Sequence, residues 1–366
     1  MNLLQLLLLP FALLYGFVAL VRNKLFDWKV MPSESFDFPV ISVGNLSYGG
    51  TGKTPHVEYL IRLLKDKCKI AILSRGYKRK TSGFLMCSDG STYKDIGDEP
   101  LQYCRKYKGI QVAVDEDRRN GIHTLKKHFP DLHAVILDDA FQHRYVKPGL
   151  QILTTDFHRL YMEDYPIPSG TLREFRGGAK RADIIIVTKT PRILSPITRR
   201  RIHGMIKPRL HQHMFYTYLD YGEMIPLSDK SKEEIRDKYN NILMFTGIAN
   251  SYPLAEYLKN MCNELDALEF MDHHSYSMKD LERIQNEFDK MFTRNKIIVT
   301  TEKDAMRLKH NPEFEPILSK LPIYYIPIEI RFHNGENTIF DDLILKYVGK
   351  NQGNLQLSAE AVEGKT

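Results

Sequence analysis

Ser47-Tyr-Gly-Gly-Thr-Gly-Lys-Thr54 joins a short apolar run, Phe38-Pro-Val-Ile-Ser-Val43, to a segment with Val57, Leu60, Ile61 and Leu64 at helical spacing. Strand, glycine-rich turn and helix in that order form a phosphate cradle. The backbone N–H groups of Ser47, Tyr48, Gly49, Gly50, Thr51 and Gly52 can close around phosphate oxygens. Lys53 reaches the terminal oxygens, and Thr54 offers a hydroxyl to Mg2+. The helix beginning near Pro55 points its positive end at the same anion. One position departs from the usual pattern, since Ser47 stands where a glycine is expected. Gly49 and Gly50 still supply the freedom of the turn.

Working outward, apolar runs at 69–73, 110–114, 134–137, 150–154 and 184–187 predict strands separated by helices or loops. That alternation predicts an α/β fold of the P-loop type, a parallel sheet with helices on both faces. Ala134-Val-Ile-Leu-Asp-Asp139 reads as a buried strand ending in two carboxylates, at the sheet edge where ligands bind. Asp138 or Asp139 is expected to hold Mg2+, directly or through water. Val187-Thr-Lys-Thr190 continues into Pro191 where a guanine-reading motif would need Asp, so ATP is the expected nucleotide.

Residues 190–209, rich in Pro, Arg and Ser, read as a linker and a basic helix containing Arg199–Arg201. A second, smaller α/β set follows. Strands are predicted at 241–246, 296–300 and 323–328, and helices at 253–261 and 278–292, the latter opened by the Ser277/Asp280 capping-box spacing. The expected division is a membrane-associated helix over 1–35, a P-loop domain over 36–200, a second α/β domain over 201–350 and a loose tail over 351–366.

From Leu3 to Val21 no residue is charged, and a helix of that length reaches about 28 Å, close to the thickness of a bilayer's hydrocarbon. Arg22, Lys24 and Lys29 follow the run, whereas a signal peptide carries its cations first. Positive flanks favour the cytoplasmic side. Removing this segment is expected to weaken membrane attachment more than chemistry. The 366-residue chain as a whole is 43% hydrophobic, which excludes disordered, collagenous and small disulfide-scaffold classes. A net charge of +7 suits anionic lipid, a phosphorylated substrate or nucleic acid without choosing among them. Cys68, Cys87, Cys104 and Cys262 are scattered with no CxxC pair, so a disulfide framework is not expected.

Several polar clusters remain: Ser74-Arg-Gly-Tyr77, Gly97-Asp-Glu-Pro100, Asp117-Arg118, Phe141-Gln-His143, Gly170-Thr-Leu-Arg-Glu174, Asp272-His-His274 and Thr301-Glu-Lys-Asp304. Singly, each has a bland reading as a turn, a cap or a local ion pair. In this order, together with Val43-Gly-Asn45 leading into the loop and Asp138-Asp-Ala-Phe-Gln-His143, they resemble the tetraacyldisaccharide 4′-kinase family over nearly the whole chain. Ala140 and Thr171 differ from the residues usual there, and neither change removes a reacting group.

The resemblance implies two α/β/α domains around a cleft, and transfer of the ATP γ-phosphoryl group to the 4′-hydroxyl of an acylated glucosamine disaccharide 1-phosphate. It implies Asp98 and His273 as a catalytic dyad, Asp98 accepting the hydroxyl proton. Lys53, with Arg173 or Arg118, would stabilise the transferring group, and Thr54, Glu99, Asp138 and Asp139 are the metal candidates. Tyr77, Gln142 and His143 are candidates for the donor or acceptor pocket. The partners expected are the glycolipid and the membrane surface, at the cytoplasmic face of a Gram-negative inner membrane, with no nucleic acid and no obligate protein partner. Two rivals are a membrane-bound P-loop ATPase switch and a nucleic-acid-binding ATPase. The first leaves Asp98, Glu99 and His273 without roles, and the second lacks a basic stripe or motif.

Overall fold

The computed structural model describes residues 3–227, 236–248, 250–272, 274–309 and 311–363. Its first part contains helices α1 (Leu3–Asp27), α2 (Lys53–Leu64), α3 (Tyr93–Ile96), α4 (Asp98–Lys106), α5 (Arg118–His128) and α6 (Pro196–Ile206). Between them run β1 (Val40–Asn45), β2 (Ile70–Ser74), β3 (Leu85–Met86), β4 (Gln111–Val114), β5 (Ala134–Asp138), β6 (Leu150–Asp156), β7 (Ile184–Thr188) and β8 (His213–Tyr221). The later part contains β9 (Ile225–Pro226), β10 (Tyr239–Thr246), β11 (Cys262–Glu269), β12 (Lys296–Thr301), β13 (Ile323–Ile326) and β14 (Ile328–Phe332). Its helices are α7 (Tyr252–Lys259), α8 (Met278–Lys290), α9 (Glu302–Leu308), α10 (Glu315–Leu318) and α11 (Asn337–Glu363).

A nine-stranded sheet runs in the order β14-β8-β7-β6-β1-β5-β2-β4-β3. All six residues of β1 are buried, because helices cover both of its faces. Ile41, Val43, Ile72 and Ile136 meet the apolar stripe of α2 on one side. Val40, Leu73, Val135 and Leu137 meet Ile122 and Leu125 of α5 on the other. Parallel register sets Val43 beside Asp138, Asn45 beside Thr154, Ser74 beside Val114 and Asp156 beside Thr188. The carboxyl ends of seven parallel strands therefore share one edge, where the 47–54 loop, Ser74-Arg-Gly-Tyr77 and Asp138-Asp139 begin.

Contacts divide the chain into 1–219 with 330–366, and 220–329. The first boundary thus lies beyond the expected 200/201, for a local reason. The basic helix forms as expected, as α6, and its Ile202 and Ile206 are buried with Val187 and Tyr216 of the first unit. The chain also returns to the first unit through α11, whose Phe340, Ile344 and Val348 join the α2 side of the core. Tyr347 Oη accepts from the Val40 N–H at 3.1 Å. Helix α11 continues to Glu363, where a loose tail was expected; no proline interrupts it.

Within 220–329, five strands pair in the order β11-β10-β12-β13-β9, with only β9 antiparallel. The Ser277/Asp280 capping box forms as its spacing predicts, and α8 buries Leu281, Ile284 and Phe288 against Leu243 and Ile298.

Helix α1 is long and apolar enough to cross a membrane, and most of its leucines are exposed. Ala12, Gly16 and Phe26 form its buried side. One expectation is corrected: Cys87 and Cys104 form a disulfide. Antiparallel pairing of β3 with β4 and packing of α4 bring together two cysteines 17 residues apart, a juxtaposition their spacing does not advertise.

Candidate active site

The loop after β1 is shaped by Gly49 at φ 107° and Gly52 at φ 81°, backbone conformations that only glycine adopts without strain. Ser47 is buried, in a short bridge to Leu172. The Tyr48 N–H donates to the Thr171 carbonyl at 2.6 Å, and the Arg173 N–H to the Leu46 carbonyl at 2.7 Å. A serine is therefore tolerated at 47, since this residue sits in strand-like pairing rather than in a strained turn. The same bonds tie the loop bearing Arg173 to the cradle. Asn45 Nδ2 donates to the Thr51 hydroxyl at 2.8 Å, and the Thr188 hydroxyl donates to the Thr51 carbonyl at 2.8 Å. Lys189 caps the Gly50 carbonyl and pairs with Asp156 at 2.7 Å. His56, fully enclosed, reaches the Gly52 carbonyl with Nδ1 at 2.7 Å and the Thr217 hydroxyl with Nε2 at 3.1 Å.

Around Thr54 lies a cluster of oxygen donors. Its hydroxyl meets Glu99 Oε1 at 3.4 Å, and Tyr103 Oη donates to Asp138 Oδ2 at 3.2 Å. Burial, followed by the charges of Glu99 and Asp139, pushes the Asp138 carboxyl up to about 7. Asp98 and Glu99 open α4, and both are half-buried. Gly97 precedes them at φ 90°, and a Cβ there would lie 3.1 Å from the Tyr77 carbonyl, so a side chain at 97 would separate the two loops.

Asp139 is the hub of the cationic side. Its φ of 49° turns the chain sharply at the end of β5. Lys53 Nζ lies 3.5 Å from it, and Arg173 contacts both of its oxygens at 3.1 and 3.2 Å. Burial would raise the Asp139 carboxyl, but Lys53 and Arg173 outweigh it and hold the group below its ordinary range. Arg173 Nη1 also donates to Gln142 Oε1 at 3.3 Å. Arg118 is buried at 3% exposure, and desolvation brings its guanidinium down to about 10, opposed by the charges of Asp139 and Asp138. The backbone N–H of Arg118 donates to His143 Nε2 at 3.3 Å. Burial and the Arg118 charge hold that imidazole neutral, down at about 4.

The structure thus gathers Lys53, Thr54, Glu99, Asp138, Asp139, Gln142 and Arg173 into one contiguous set, with Arg118 and His143 adjoining it through the same loop. Tyr77 flanks the start of α4 with its side chain about half exposed, and Tyr48 is exposed at the cradle's rim. His273 lies outside the described residues. Its neighbour His274 pairs with Asp280 at 3.1 Å and stacks on Phe270. Tyr103 carries no motif signal of its own, although it lies one helical turn after Glu99 and so on the same face of α4. Asn45 and Glu174 lie within the sequence motifs, but nothing in their local pattern assigns them a task. Asp156 and Lys189 had no local signal beyond their places at strand ends.

A glycine-shaped cradle at a parallel sheet's carboxyl edge, a lysine and an arginine converging on the second aspartate, and a hydroxyl beside two carboxylates define a P-loop phosphotransferase site. A family model described as Tetraacyldisaccharide-1-P 4'-kinase matches residues 4–348. The Tetraacyldisaccharide 4'-kinase of Bacteroides thetaiotaomicron is 44% identical over 96% of this chain and 95% of its own. That of Flavobacterium johnsoniae is 46% identical over 96% and 99%. A crystal structure of "apo" form LpxK from Aquifex aeolicus in complex with ATP superposes with a TM-score of 0.70 at 28% identity, covering 94% of this chain and all of that one. The chain belongs to the tetraacyldisaccharide-1-P 4'-kinase family.

Proposed function

We propose that this chain transfers the γ-phosphoryl group of ATP to the 4′-hydroxyl of a tetraacylated glucosamine disaccharide 1-phosphate, yielding the lipid A precursor lipid IVA. The observation that carries the reading is the convergence of Lys53 and Arg173 on Asp139 beside the 47–54 cradle. A loose phosphoryl-transfer transition state spreads negative charge over three oxygens, and two cations held by a common carboxylate are positioned to meet it. Arg118, buried and close to the same loop, adds to that field.

Mg2+ fits the donor set around Thr54. A hydroxyl and the carboxylates of Glu99 and Asp138 are hard oxygen ligands, and they lie together around Thr54, with Asp138 raised first by burial and then by the charges of Glu99 and Asp139. Bound there, the ion would neutralise charge on the β and γ oxygens. Among the described residues no group of three or more His, Cys, Asp or Glu side chains forms a complete metal cage. A Mg2+ site shared with substrate phosphates needs none.

Asp98, at the start of α4 beside Glu99, is the proposed acceptor of the hydroxyl proton, with His273 orienting the alcohol. A carboxylate within hydrogen-bond reach of a sugar hydroxyl takes its proton as the new bond forms. Helix α1 favours membrane association. Acyl chains resist extraction by about 0.8 kcal/mol per buried CH2, so an enzyme at the bilayer surface meets its lipid there. The cations that follow the apolar run, Arg22 and Lys24 near the end of α1 and Lys29 beyond it, favour the cytoplasmic face of the inner membrane.

The test is incubation of purified protein with Mg-ATP and the disaccharide monophosphate, followed by mass spectrometry of the lipid. A gain of one phosphoryl group, absent with Lys53→Ala, supports the reading. ATP hydrolysis that leaves the lipid unchanged and depends on a protein partner would favour the switch instead.

A further inference from the structure

Helix α1 does more than present apolar side chains. Its last two turns carry polar residues that bond to the loops of the phosphotransferase site. Asn23 Nδ2 donates to Glu174 Oε2 at 2.7 Å. Glu174 is buried at 2% exposure and held by both arms of Arg181 at 2.8 and 2.9 Å. Its other oxygen accepts from Gln142 Nε2 at 3.2 Å. Gln142 also donates to the Asn45 carbonyl at 2.8 Å and accepts from Arg173 at 3.3 Å, and Arg173 grips Asp139. An unbroken run of side-chain contacts therefore leads from the membrane helix to the carboxylate that pairs with Lys53.

Two further contacts follow the same direction. Arg22 Nη1 donates to the Gln142 carbonyl at 3.2 Å. Arg144 donates to the Asn23 carbonyl at 2.6 Å and to Asp27 at 2.8 Å. The helix also fits tightly at its middle, where a Cβ on Gly16 would lie 2.5 Å from the Phe175 ring. Phe26 is buried edge-on to Tyr145, with ring centres 5.1 Å apart. A tether needs apolar length and interfacial cations, both of which α1 has. It does not need an amide bonded to a buried carboxylate one residue from Arg173.

We propose that the end of α1 is a positioning element of the active site, in which Asn23, acting through the buried Glu174, holds Gln142 and Arg173 in the orientation that sets Asp139 against Lys53. The proposal rests on the phosphotransfer roles of Arg173 and Asp139 given above. It also revises the expectation that losing the first 30 residues costs attachment more than chemistry. Removing them takes away donors that the site loops use, so turnover on detergent-dispersed lipid falls as well.

The test uses full-length Asn23→Ala and Asn23→Asp in detergent mixed micelles, where membrane partitioning does not limit encounter. The aspartate keeps the shape of asparagine but loses its N–H donors and faces Glu174 with like charge. Both variants are expected to lose about ten- to a hundredfold in kcat, the scale of a small misplacement of reacting groups. KM for ATP and for the glycolipid stays within about threefold, since binding contacts are untouched. Vesicle flotation matches wild type. Amide hydrogen exchange quickens at 139–144 and 171–175 and is unchanged in β1 and α2. Arg173→Ala is measured beside them. If it is inactive while both Asn23 variants keep wild-type kcat, the positioning role is overturned and the site reading stands; if it is active, the site reading itself fails. A loss confined to flotation or to KM for lipid, or faster exchange spread through β1 and α2, also overturns the proposal, in favour of an anchor or a general structural role.

Discussion

Replacing Arg173 by lysine keeps the positive charge and removes the fork. In the structure Arg173 uses Nη1 on both Asp139 oxygens and on Gln142, at 3.1 to 3.3 Å, and Nη2 on Asp139 Oδ2 at 3.2 Å. A lysine ammonium can meet one Asp139 oxygen, but it cannot span both oxygens and the Gln142 amide from a single planar group. At least one charge-assisted bond is lost, each contributing about 1.5–3 kcal/mol. If that energy orients Arg173 toward the transferring group, kcat falls by about ten- to a hundredfold, with KM for ATP little changed. Arg173→Ala removes the cation too and should fall by about 10³ or more, the low end of what an arginine supplies in related phosphoryl transfers. Initial rates of lipid phosphorylation at saturating Mg-ATP measure both. A lysine variant within twofold of wild type, beside an inactive alanine variant, would refute the geometric argument and leave only charge.

Other perturbations probe separate parts of the account. His56 is held neutral by burial, down at about 4, so the unfolded chain takes up its proton first as pH falls. Stability from this residue is complete above about pH 6.5 and is lost between there and about pH 4, by roughly 3 kcal/mol in total. Denaturant titrations across that window should show a slope that His56→Gln reduces by close to one proton; an unchanged slope would contradict it. Gly44→Ala drives a Cβ to 2.6 Å from the Phe141 side chain and 2.9 Å from its backbone nitrogen, and should cost about 1–3 kcal/mol by thermal unfolding. Glu99→Ala should raise the Mg2+ concentration needed for half-maximal rate several-fold, read from metal titrations at fixed ATP; an unmoved midpoint would remove Glu99 from the metal set. Asp98→Ala and His273→Ala should each lower kcat by orders of magnitude, and the double variant by no more than the worse single; multiplicative losses would mean that the two act independently.

The cradle and the aspartate strand were legible because their chemistry is local. Glycine at positive φ, a lysine after it and an apolar strand ending in Asp138-Asp139 are all written within a few residues. The Ser277/Asp280 cap was legible for the same reason. Features made by distant partners were not. Asn23 and Glu174 are 151 positions apart, and neither residue type signals the other. Helix α11 joins the first unit through Tyr347 and Val40, 307 positions apart, which no periodicity reveals. Strand β11, Cys262–Glu269, is expected from the sequence only as a strand leading to Asp272-His-His274, its bounds hidden because most of it is exposed and acidic, the composition of an edge rather than a core. The departure at Ser47 is visible in the sequence, but its physical reason, the pairing with Leu172 that needs no glycine conformation, is made by a residue 125 positions away.

The central claim is that the cradle at 47–54 delivers a phosphoryl group to one particular alcohol. Phosphorus–proton correlation NMR of the lipid formed from Mg-ATP and the disaccharide 1-phosphate tests it most directly. A second phosphomonoester coupled to H-4′ is expected, absent with Lys53→Ala. A new phosphate at any other carbon, or inorganic phosphate with the lipid unmodified, would contradict it.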